Sequence, residues 1–335
     1  MKVSIIIPAC NVDKFFFQCA ESISNQNYND FEAIVVNDGS TDGTSGILKS
    51  IEKRDSRFKI FCFEKRKGIV HALNYALSVS SGDYIARMDA DDIMHMDRIL
   101  MQAEFLDKNP KVDVVSCLVQ KFSSSGRVGN GFKIYEEWIN SLVHHNDIVR
   151  DIFVESPLVH PSIMMRRSVI QEAGGYKDNG WAEDYDLWLR LYLAGKRFEK
   201  INKILLYWRD DPGRLSRESQ IYSQMNFYKC KTHYLLNSFL KSTKNVVVWG
   251  AKRTSRKYSD LLLQSGMDIL YYIDVDIKKI GNRINGIKVI SPDDRHLFSD
   301  VPVLSYVSTL GARDKIRARL ISIGRKESSD FFMMA

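Results

Sequence analysis

Three carboxylates within four residues are the first candidates for chemistry in this chain. The stretch Gly82–Asp92 (GDYIARMDADD) opens with a glycine, continues as a short apolar run and ends in Asp89, Asp91 and Asp92. Asp89 and Asp91 lie two positions apart, so an extended backbone places both on one face, where their charges repel. An oxygen-preferring divalent cation, Mg²⁺ or Mn²⁺, would relieve that repulsion. The alternative is a solvated acidic turn that caps a helix beginning near Met96.

A second acidic pair lies in the stretch Gly180–Arg190 (GWAEDYDLWLR). Glu183 and Asp184 fall in the first turn of a predicted buried helix, whose apolar stripe is formed by Tyr185, Trp188, Leu189 and Tyr192. Carboxylates in a first turn complement the positive end of the helix dipole, which is one explanation for them. A catalytic role is the other.

The elements that must position the first carboxylates alternate between strands and helices. Strands are predicted at Val3–Pro8, Phe31–Val36 and Phe58–Phe63, and helices at about residues 13–26, 44–54 and 69–78, with Asp13 as the first N-cap. This alternation predicts an α/β fold, with a parallel sheet covered by helices on both faces. Ligands bind such sheets beyond the carboxyl ends of the strands, where Pro8, Asp38 and Asp89 lie. Taken alone, Asp38 is also explained as a turn residue or a helix cap.

Length and composition limit the class of protein. The chain has 335 residues, of which 44% are hydrophobic and 27% charged, so a soluble globular protein of two domains is expected. Its five cysteines form no CxxC pair, which argues against a disulfide framework or a zinc site and favours a reducing cytoplasm. No apolar run reaches the ~18 residues of a membrane span, and Val3–Ile7 is too short for a signal peptide.

The formal net charge of +7 belongs entirely to the C-terminal region. Residues 241–335 carry 17 Lys and Arg against 10 Asp and Glu, which leaves 31 of each sign in residues 1–240. A basic surface there could face nucleic acid, anionic lipid or a phosphorylated substrate. Because no block of five like charges occurs, solubility is the simpler explanation, and no nucleic-acid partner is predicted.

Four segments in order along the chain carry a family resemblance: Ser4–Asn11 (SIIIPACN), Val35–Asp42 (VVNDGSTD), Met88–Asp92 (MDADD) and Gln102–Pro110 (QAEFLDKNP). Together they resemble the family 2 glycosyltransferases, although each segment alone would be a weak signal. The resemblance implies the GT-A nucleotide-diphospho-sugar transferase fold. It also implies a nucleotide-sugar donor, a UDP-sugar, and a Mn²⁺ or Mg²⁺ cofactor.

The resemblance also implies roles for single residues. Pro8 and Ala9 would pack on the nucleotide base, and Asp38 would accept the N–H of uracil. Asp89 would meet the ribose and metal region, and Asp91 would ligate the metal. In the second acidic pair Asp184 would be the general base, with Glu183 in the donor site and as the fallback base. His160, in Pro157–Ser162, resembles a residue on the acceptor side, although a histidine between prolines is more often structural.

Two departures from the family pattern are visible. The segment Arg209–Ser216 (RDDPGRLS) lacks the histidine that many relatives carry there and that often reaches the metal or the diphosphate. Asp211 or Arg214 would have to substitute for it, and the third protein ligand of the metal is left open. The Gln-x-x-Arg-Trp motif of processive synthases is missing, which implies single-sugar addition.

The C-terminal region is predicted as a separate module. The predicted boundaries are a GT-A domain at 1–215, a helical bridge at 216–243 and a small Rossmann-like α/β domain at 244–335. A strand at residues 245–249, a glycine, a helix and then Asp274 reproduce much of a dinucleotide-binding fingerprint. Lys252 and Ser255 stand where its second and third glycines belong, so NAD binding is not expected.

The predicted function is metal-dependent, inverting transfer of one sugar to a glycan or lipid-linked glycan acceptor, in cell-surface polysaccharide biosynthesis. The predicted location is the cytoplasm, with peripheral contact at the inner face of the membrane. A non-catalytic sugar-nucleotide sensor is the main alternative, and a dinucleotide-dependent oxidoreductase is the third. A sensor would not need a base, which disfavours it.

Overall fold

The structure is a computed structural model that describes residues 2–123, 130–211, 219–294 and 300–335. Two compact units are present. The first consists of Met1–Ile148 and Pro157–Ser219, and the second of Val149–Ser156 and Gln220–Ala335. The sequence-based domain boundaries at residues 215 and 243 stay a prediction.

The first unit is built on an eight-stranded sheet. Its strands are β1 (Val3–Ala9), β2 (Phe31–Asp38), β3 (Phe58–Phe63), β4 (Tyr84–Arg87), β5 (Ile93–Met94), β6 (Val114–Phe122), β7 (Met164–Arg166) and β8 (Phe198–Arg209). The helices along the same part of the chain are α1 (Phe16–Ser24), α2 (Thr44–Arg54), α3 (Ile69–Val79), α4 (Arg98–Lys108), α5 (Asn130–Ser141), α6 (His145–Arg150), α7 (Arg167–Glu172) and α8 (Glu183–Leu193).

The sheet has the strand order β3-β2-β1-β4-β7-β6-β8-β5. The predicted parallel arrangement is confirmed for β3, β2, β1 and β4. Strand β7 runs antiparallel to both β4 and β6, and β5 runs antiparallel to β8, so the rest of the sheet is mixed. The strand and helix alternation that predicts parallel pairing stops after β4, because β5 follows it within a short turn and no crossover helix separates the two.

Continuous burial explains the central strands. All eight residues of β2 are buried, as expected for a strand covered on both faces. Helix α1 places Phe16, Cys19, Ala20 and Ile23 on one side, and these side chains join the core formed with β1 and β2. The apolar spacing along α1 therefore positions the loop that precedes it.

The predicted N-cap at Asp13 is wrong. Helix α1 begins at Phe16 without a side-chain cap, and Asp13 Oδ2 accepts the amide of Gly43 at 3.3 Å instead. The loops after β1 and β2 are bonded together, with Val12 N donating to Thr44 Oγ1 at 2.8 Å. Because these loops share hydrogen bonds, Asp13 serves the neighbouring loop rather than its own helix.

The second unit contains the smaller sheet predicted for the C-terminal module. Its strands are β9 (Asn245–Trp249), β10 (Asp268–Ile273), β11 (Arg283–Ile284), β12 (Ile287–Ile290), β13 (Val303–Ser305) and β14 (Phe331–Met333), and its helices are α9 (Gln224–Asn237), α10 (Arg253–Gln264) and α11 (Ala312–Ser322). The order is β11-β12-β10-β9-β13-β14, with parallel pairing from β12 to β14. The predicted Rossmann-like α/β arrangement is confirmed, and β11 and β14 are additions that sequence patterns did not indicate.

The segment Val149–Ser156 is fastened within the second unit by buried charges. Asp151 Oδ1 accepts a hydrogen bond from Arg317 Nη2 at 2.7 Å. The ammonium of Lys231, which is buried, donates to the carbonyls of Phe153, Val154 and Met334 at 3.2, 2.9 and 2.7 Å. Among the described residues, no helix is both long and apolar enough to cross a membrane.

Candidate active site

The predicted donor residues meet at one edge of the first sheet. Strand β1 pairs with β2, which brings Ala9 opposite Asn37. On its other side β1 pairs with β4, which brings Ile6 opposite Arg87. The carboxyl ends of β1, β2 and β4 are therefore neighbours, and they present Pro8 and Ala9, Asp38 and Asp89 respectively.

The three carboxylates after β4 form a compact oxygen cluster. One carboxylate oxygen from each of Asp89, Asp91 and Asp92 lies within 4.8 Å of the other two. Asp89 and Asp91 are partly exposed, whereas Asp92 is fully buried. An all-carboxylate set of this size suits Mg²⁺ or Mn²⁺, so the residues present fit the predicted ion.

Arg209, the last residue of β8, holds this acidic turn in place through hydrogen bonds. Its backbone amide donates to Asp92 Oδ1 at 2.8 Å, and its Nε donates to the carbonyl of Asp91 at 2.7 Å. The guanidinium also lies over the rings of Phe15 and Phe122, at 4.6 and 4.5 Å from their centroids. Arg209, the first residue of the segment Arg209–Ser216 that differs from the family pattern, therefore supports the carboxylates. Of the two residues proposed to replace the missing histidine in that segment, Arg214 lies outside the described residues.

Arg87 is a buried cation between the two acidic centres. Its side chain is 2% exposed and forms an ion pair with Asp89. Burial alone would lower the pKa of Arg87, but the charges of Asp89 and Glu183 and the nearby phenol of Tyr176 favour the guanidinium and the net shift is upward. Arg87 therefore stays charged and acts on both acidic centres.

The second acidic pair opens helix α8, as the sequence predicts. Glu183 is buried, and Asp184 is partly exposed, with Asp184 Oδ1 accepting the amide of Tyr185 at 2.7 Å. Burial and the neighbouring charge of Glu183 raise the pKa of Asp184 well above its ordinary value. A carboxylate with a raised pKa holds a proton more readily than an exposed aspartate, which is what a general base requires.

His160 lies directly beside Glu183. Its Nδ1 is 3.7 Å from Glu183 Oε1, and its Nε2 is 2.9 Å from the hydroxyl of Tyr176. The imidazole also meets the ring of Trp188 edge-on, with 5.9 Å between centroids. Burial, with the positive charge of Arg87, lowers the pKa of His160, so the ring is neutral near pH 7. The histidine between prolines is thus part of the packing around Glu183.

Asp186 was missed by sequence reasoning. It is fully buried, and its Oδ1 accepts hydrogen bonds from Asn179 Nδ2 and Trp181 Nε1, each at 2.9 Å. Its Oδ2 accepts from Arg190 Nε at 2.7 Å, one helical turn further along α8. These bonds hold the loop before α8 against the helix and so position Glu183 and Asp184. The spacing of four between Asp186 and Arg190 was the available signal.

Asp38 braces a neighbouring loop, and its proposed contact with the nucleotide base stays a prediction. Its carboxylate accepts the amides of Lys67 at 2.6 Å and Gly68 at 2.9 Å, so it fixes the loop between β3 and α3. A carboxylate has about four acceptor positions, so capacity for a ligand N–H is left. Gly39 follows with φ of +63°, and a Cβ there would lie 2.4 Å from the backbone nitrogen of Arg66. The two loops are therefore in close backbone contact.

Comparison with protein families gives two matches. Residues 4–174 match the model for glycosyl transferase family 2. Residues 242–329 match a family described as C2185-like, N-terminal.

Several curated relatives are glycosyltransferases. The O-antigen biosynthesis glycosyltransferase WbnJ of Escherichia coli is 30% identical over 244 residues, which is 71% of this chain and 89% of that protein. The amylovoran biosynthesis glycosyltransferase AmsE of Erwinia amylovora is 27% identical, over 72% of this chain and 89% of that protein. An uncharacterized glycosyltransferase of Haemophilus influenzae is 36% identical over 197 residues, and the match spans 61% of its length.

Solved structures share the fold. TarS 1–349 of S. aureus in complex with UDP-GlcNAc superposes with a TM-score of 0.57 at 22% identity, covering 71% of this chain and 67% of that chain. The mannosyltransferase PcManGT of Pyrobaculum calidifontis, in complex with GDP-Man and Mn²⁺, gives a TM-score of 0.51 at 18% identity, covering 79% and 69%. At such identities the likeness shows the fold alone, and it confirms the predicted GT-A arrangement.

Proposed function

Because the chain belongs to glycosyl transferase family 2, we propose that it transfers one sugar from a UDP-sugar to a glycan or lipid-linked glycan, with inversion at the anomeric carbon. The observation that carries this proposal is the pairing of two acidic centres through one buried cation. Asp89 is ion-paired with Arg87, whose charge also acts on the Glu183 and Asp184 pair. A donor site and a proton acceptor are thus built into one unit.

The donor side rests on the ends of β1, β2 and β4. Pro8, which is partly exposed, supplies an apolar surface for the base, whereas the side chain of Ala9 is buried in the core and can only support that surface from below. Asp38, held by two backbone amides, supplies a fixed acceptor for a base N–H. TarS, which has the same fold, is known in complexes with UDP and with UDP-GlcNAc, which supports a UDP-sugar donor. Relatives named for O-antigen and amylovoran biosynthesis support a cell-surface glycan as product.

Asp91 and Asp89 would hold the divalent cation, with Asp92 completing the oxygen cluster. When bound, Mg²⁺ or Mn²⁺ supplies positive charge that stabilises the departing diphosphate. The protein contributes the fixed geometry: Arg209 restrains the turn through Asp91 and Asp92. Arg87 restrains Asp89 and offsets part of its negative charge.

Asp184 takes the proton of the acceptor hydroxyl. The acceptor oxygen forms a bond to the anomeric carbon, its proton passes to Asp184, and the bond from that carbon to the diphosphate oxygen breaks with the electron pair on the diphosphate. Burial and Glu183 raise the pKa of Asp184, which improves its strength as a base near neutral pH. Glu183, packed against His160, orients the start of α8 and is the second candidate for the base.

The second unit is proposed not to bind NAD. A Cβ at Gly250 would lie 2.7 Å from Ser255 Oγ, so the turn after β9 is already filled by the first turn of α10. Asp274, the acid that would meet a ribose, accepts hydrogen bonds from Ala251 N and Lys279 Nζ at 3.2 and 3.1 Å. The turn that would receive the pyrophosphate is therefore filled, and the acid that would bind the ribose already accepts other hydrogen bonds. Titration of the full chain with NAD and NADP tests this, and saturable micromolar binding would contradict it.

A screen of sugar nucleotides for release of UDP in the presence of Mn²⁺ tests the proposed reaction. We expect one or a few UDP-sugars to be turned over, and Asp91→Asn to lose metal-dependent UDP binding in a calorimetric titration while remaining folded. Asp97→Asn is the matched control, because Asp97 lies nearby but outside the carboxylate cluster. Full activity in EDTA would contradict the proposed metal site. If no donor were turned over, the alternative functions, a non-catalytic sensor or an oxidoreductase, would be favoured.

A further inference from the structure

Three loops meet at the carboxyl edge of the sheet in the second unit. The loop after β9 is bonded to the loop after β10, with Ala251 N donating to Asp274 Oδ2 at 3.2 Å. It also contacts the loop after β13, because a Cβ at Gly250 would lie 3.2 Å from Val307 Cγ2. Parallel strands β10, β9 and β13 are adjacent, so these loops form one continuous edge.

This edge carries the most exposed large apolar side chains among the described residues. Val275 and Ile277, on the loop after β10, are 74% and 84% exposed, and Leu310, just before α11, is 84% exposed. The next most exposed, Ile321, reaches 54%. Single exposed aliphatic residues are normal on protein surfaces, but three on one edge are unusual and indicate a contact surface.

Cations accompany the apolar side chains. Lys252 and Arg253 follow β9, and Lys278 lies on the loop after β10; all three are exposed. Within the described parts of the chain, none of the three forms an ion pair with an acidic side chain. The loop after β10 is neutral overall, because Lys278 and Lys279 together balance Asp274 and Asp276, with Lys279 in ion pairs to both acids. The surplus positive charge is that of Lys252 and Arg253 on the loop after β9. The edge therefore presents uncompensated positive charge beside exposed aliphatic groups.

We propose that this carboxyl-edge surface, formed by Val275, Ile277, Leu310, Lys252, Arg253 and Lys278, docks the protein on a membrane that contains anionic lipids. Aliphatic side chains on loop tips enter the boundary between headgroups and acyl chains, and lysine and arginine bind the negative headgroups. A second copy of the chain suits the surface less well, because two edges of the same positive charge repel. The inference goes beyond the proposed sugar transfer and does not depend on it.

Sedimentation of the full chain with lipid vesicles tests the proposal. We expect binding to vesicles of phosphatidylcholine with phosphatidylglycerol, and little binding to phosphatidylcholine alone. At about 1 kcal/mol for each basic residue, Lys252→Ala, Arg253→Ala and Lys278→Ala combined should weaken binding about a hundredfold. Val275→Ser with Ile277→Ser should weaken it with the net charge unchanged.

Matched controls lie at the opposite end of the same sheet. Lys241, Lys244 and Lys326 precede β9 or β14 and are exposed, so their combined replacement by alanine makes the same change in net charge. Ile321→Ser, near the end of α11, is the apolar control. We expect both controls to bind vesicles like the wild type, and all variants to keep wild-type UDP release with a soluble donor.

Three results would overturn the proposal. They are absence of binding to anionic vesicles at low salt, equal loss in the edge variants and the controls, and self-association through the edge seen by sedimentation velocity without vesicle binding. If the wild-type protein released no UDP from any donor, that result would contradict the proposed sugar transfer and not the proposed membrane docking. The two hypotheses can therefore fail separately.

Discussion

Asp184 and Glu183 show how two adjacent carboxylates receive different roles. Asp184 is partly exposed with a raised pKa, whereas Glu183 is buried against His160. Two neighbouring acids cannot both ionise freely in a buried site, so one of them keeps its proton to a higher pH. The partly exposed member is the one an acceptor hydroxyl can reach.

Asp184→Asn is predicted to lower turnover by ~100-fold or more, the usual scale for loss of a general base. In the wild type, the acid limb of kcat/KM should lie well above pH ~4, the ordinary aspartate pKa, because below the raised pKa Asp184 is protonated and cannot accept a proton. A pH–rate profile of both proteins checks this, and the limb should be absent from the residual activity of the variant.

Stability separates this role from a structural one. A carboxyl with a raised folded pKa destabilises the folded state once pH exceeds its unfolded pKa, so Asp184→Asn should keep or raise the melting temperature at pH 8. Asp178→Asn, an exposed acid before α8, is the control and should leave both readouts unchanged. Normal turnover in Asp184→Asn would exclude the assignment.

Arg87→Met is predicted to destabilise the protein by about 3–5 kcal/mol, the usual cost of removing one partner from a buried ion pair. The reason is that Asp89 and Glu183 lose the cation between them. Urea unfolding of the variant measures the change. Arg66→Met, at an exposed position, should change stability by less than about 0.5 kcal/mol, and an equal effect of the two substitutions would contradict the role of Arg87.

Sequence reasoning located the carboxylates but not the residues that hold them. Asp89 and Asp91 are recognisable because their spacing places both on one face of an extended chain and because the segment occurs together with three others that resemble the family. Arg209 contacts the same turn from 117 positions away, a distance at which no local pattern indicates contact. Asp186 was overlooked because its spacing of four from Arg190 is the one local signal, and the hydrogen bonds from Asn179 and Trp181 become visible only in the structure.

At the level of elements, the loops after β2 and β3 are joined by Asp38 and Gly39. The carboxylate of Asp38 accepts two amides of the second loop, and Gly39 leaves room for its backbone. Any change in this contact alters the position of the predicted base-binding aspartate. The contact therefore links loop packing to donor affinity.

Gly39→Ala is predicted to raise the KM for the donor and to destabilise the fold by more than about 1 kcal/mol. Alanine at φ of +63° is strained, and its Cβ would lie 2.4 Å from the backbone nitrogen of Arg66. Relieving that clash would require the backbone of the neighbouring loop to move. Gly46→Ala is the matched control in the first turn of α2, where no atom lies within 4 Å of the added Cβ. It should stabilise the protein by about 0.5–1 kcal/mol. Equal effects of the two substitutions would refute the loop contact.

The direction and pairing of the first four strands could be predicted, whereas those of the later strands could not. Strands β1 to β4 follow a regular alternation of buried strands and amphipathic helices, so their parallel order could be inferred. Strand β7 has three residues and pairs antiparallel with β4 and β6. Its direction is fixed by long-range pairing, for which the sequence around it holds no periodic signal.

At the level of the whole molecule, the second unit depends on contacts distant in the chain. Lys231 on α9 donates to carbonyls from Phe153, Val154 and Met334, and so joins three separate segments. Arg317 on α11 holds Asp151 in the same way. These bonds were beyond sequence reasoning, because a lysine in an apparently amphipathic helix is expected to face solvent.

Lys231→Met is predicted to destabilise the second unit by several kcal/mol. The substitution leaves three buried carbonyls without the ammonium donor, each at a cost of about 1–3 kcal/mol. Thermal unfolding followed by tryptophan fluorescence measures the effect. Lys229→Met, at an exposed position on the same helix, should be close to neutral. Equal melting temperatures for wild type and Lys231→Met would show that the ammonium is dispensable.

The eight residues from Val149 to Ser156 interleave the coding sequences of the two units. They belong to the second unit, yet they are encoded inside the first, between Ile148 and Pro157. A recombination event that replaced all residues after 219 would remove the native surroundings of Ile152 and Phe153, both of which are buried. These two residues lie only a few positions before His160 in the chain. The two units therefore cannot be shuffled as independent cassettes, and they are expected to be inherited and to diverge together.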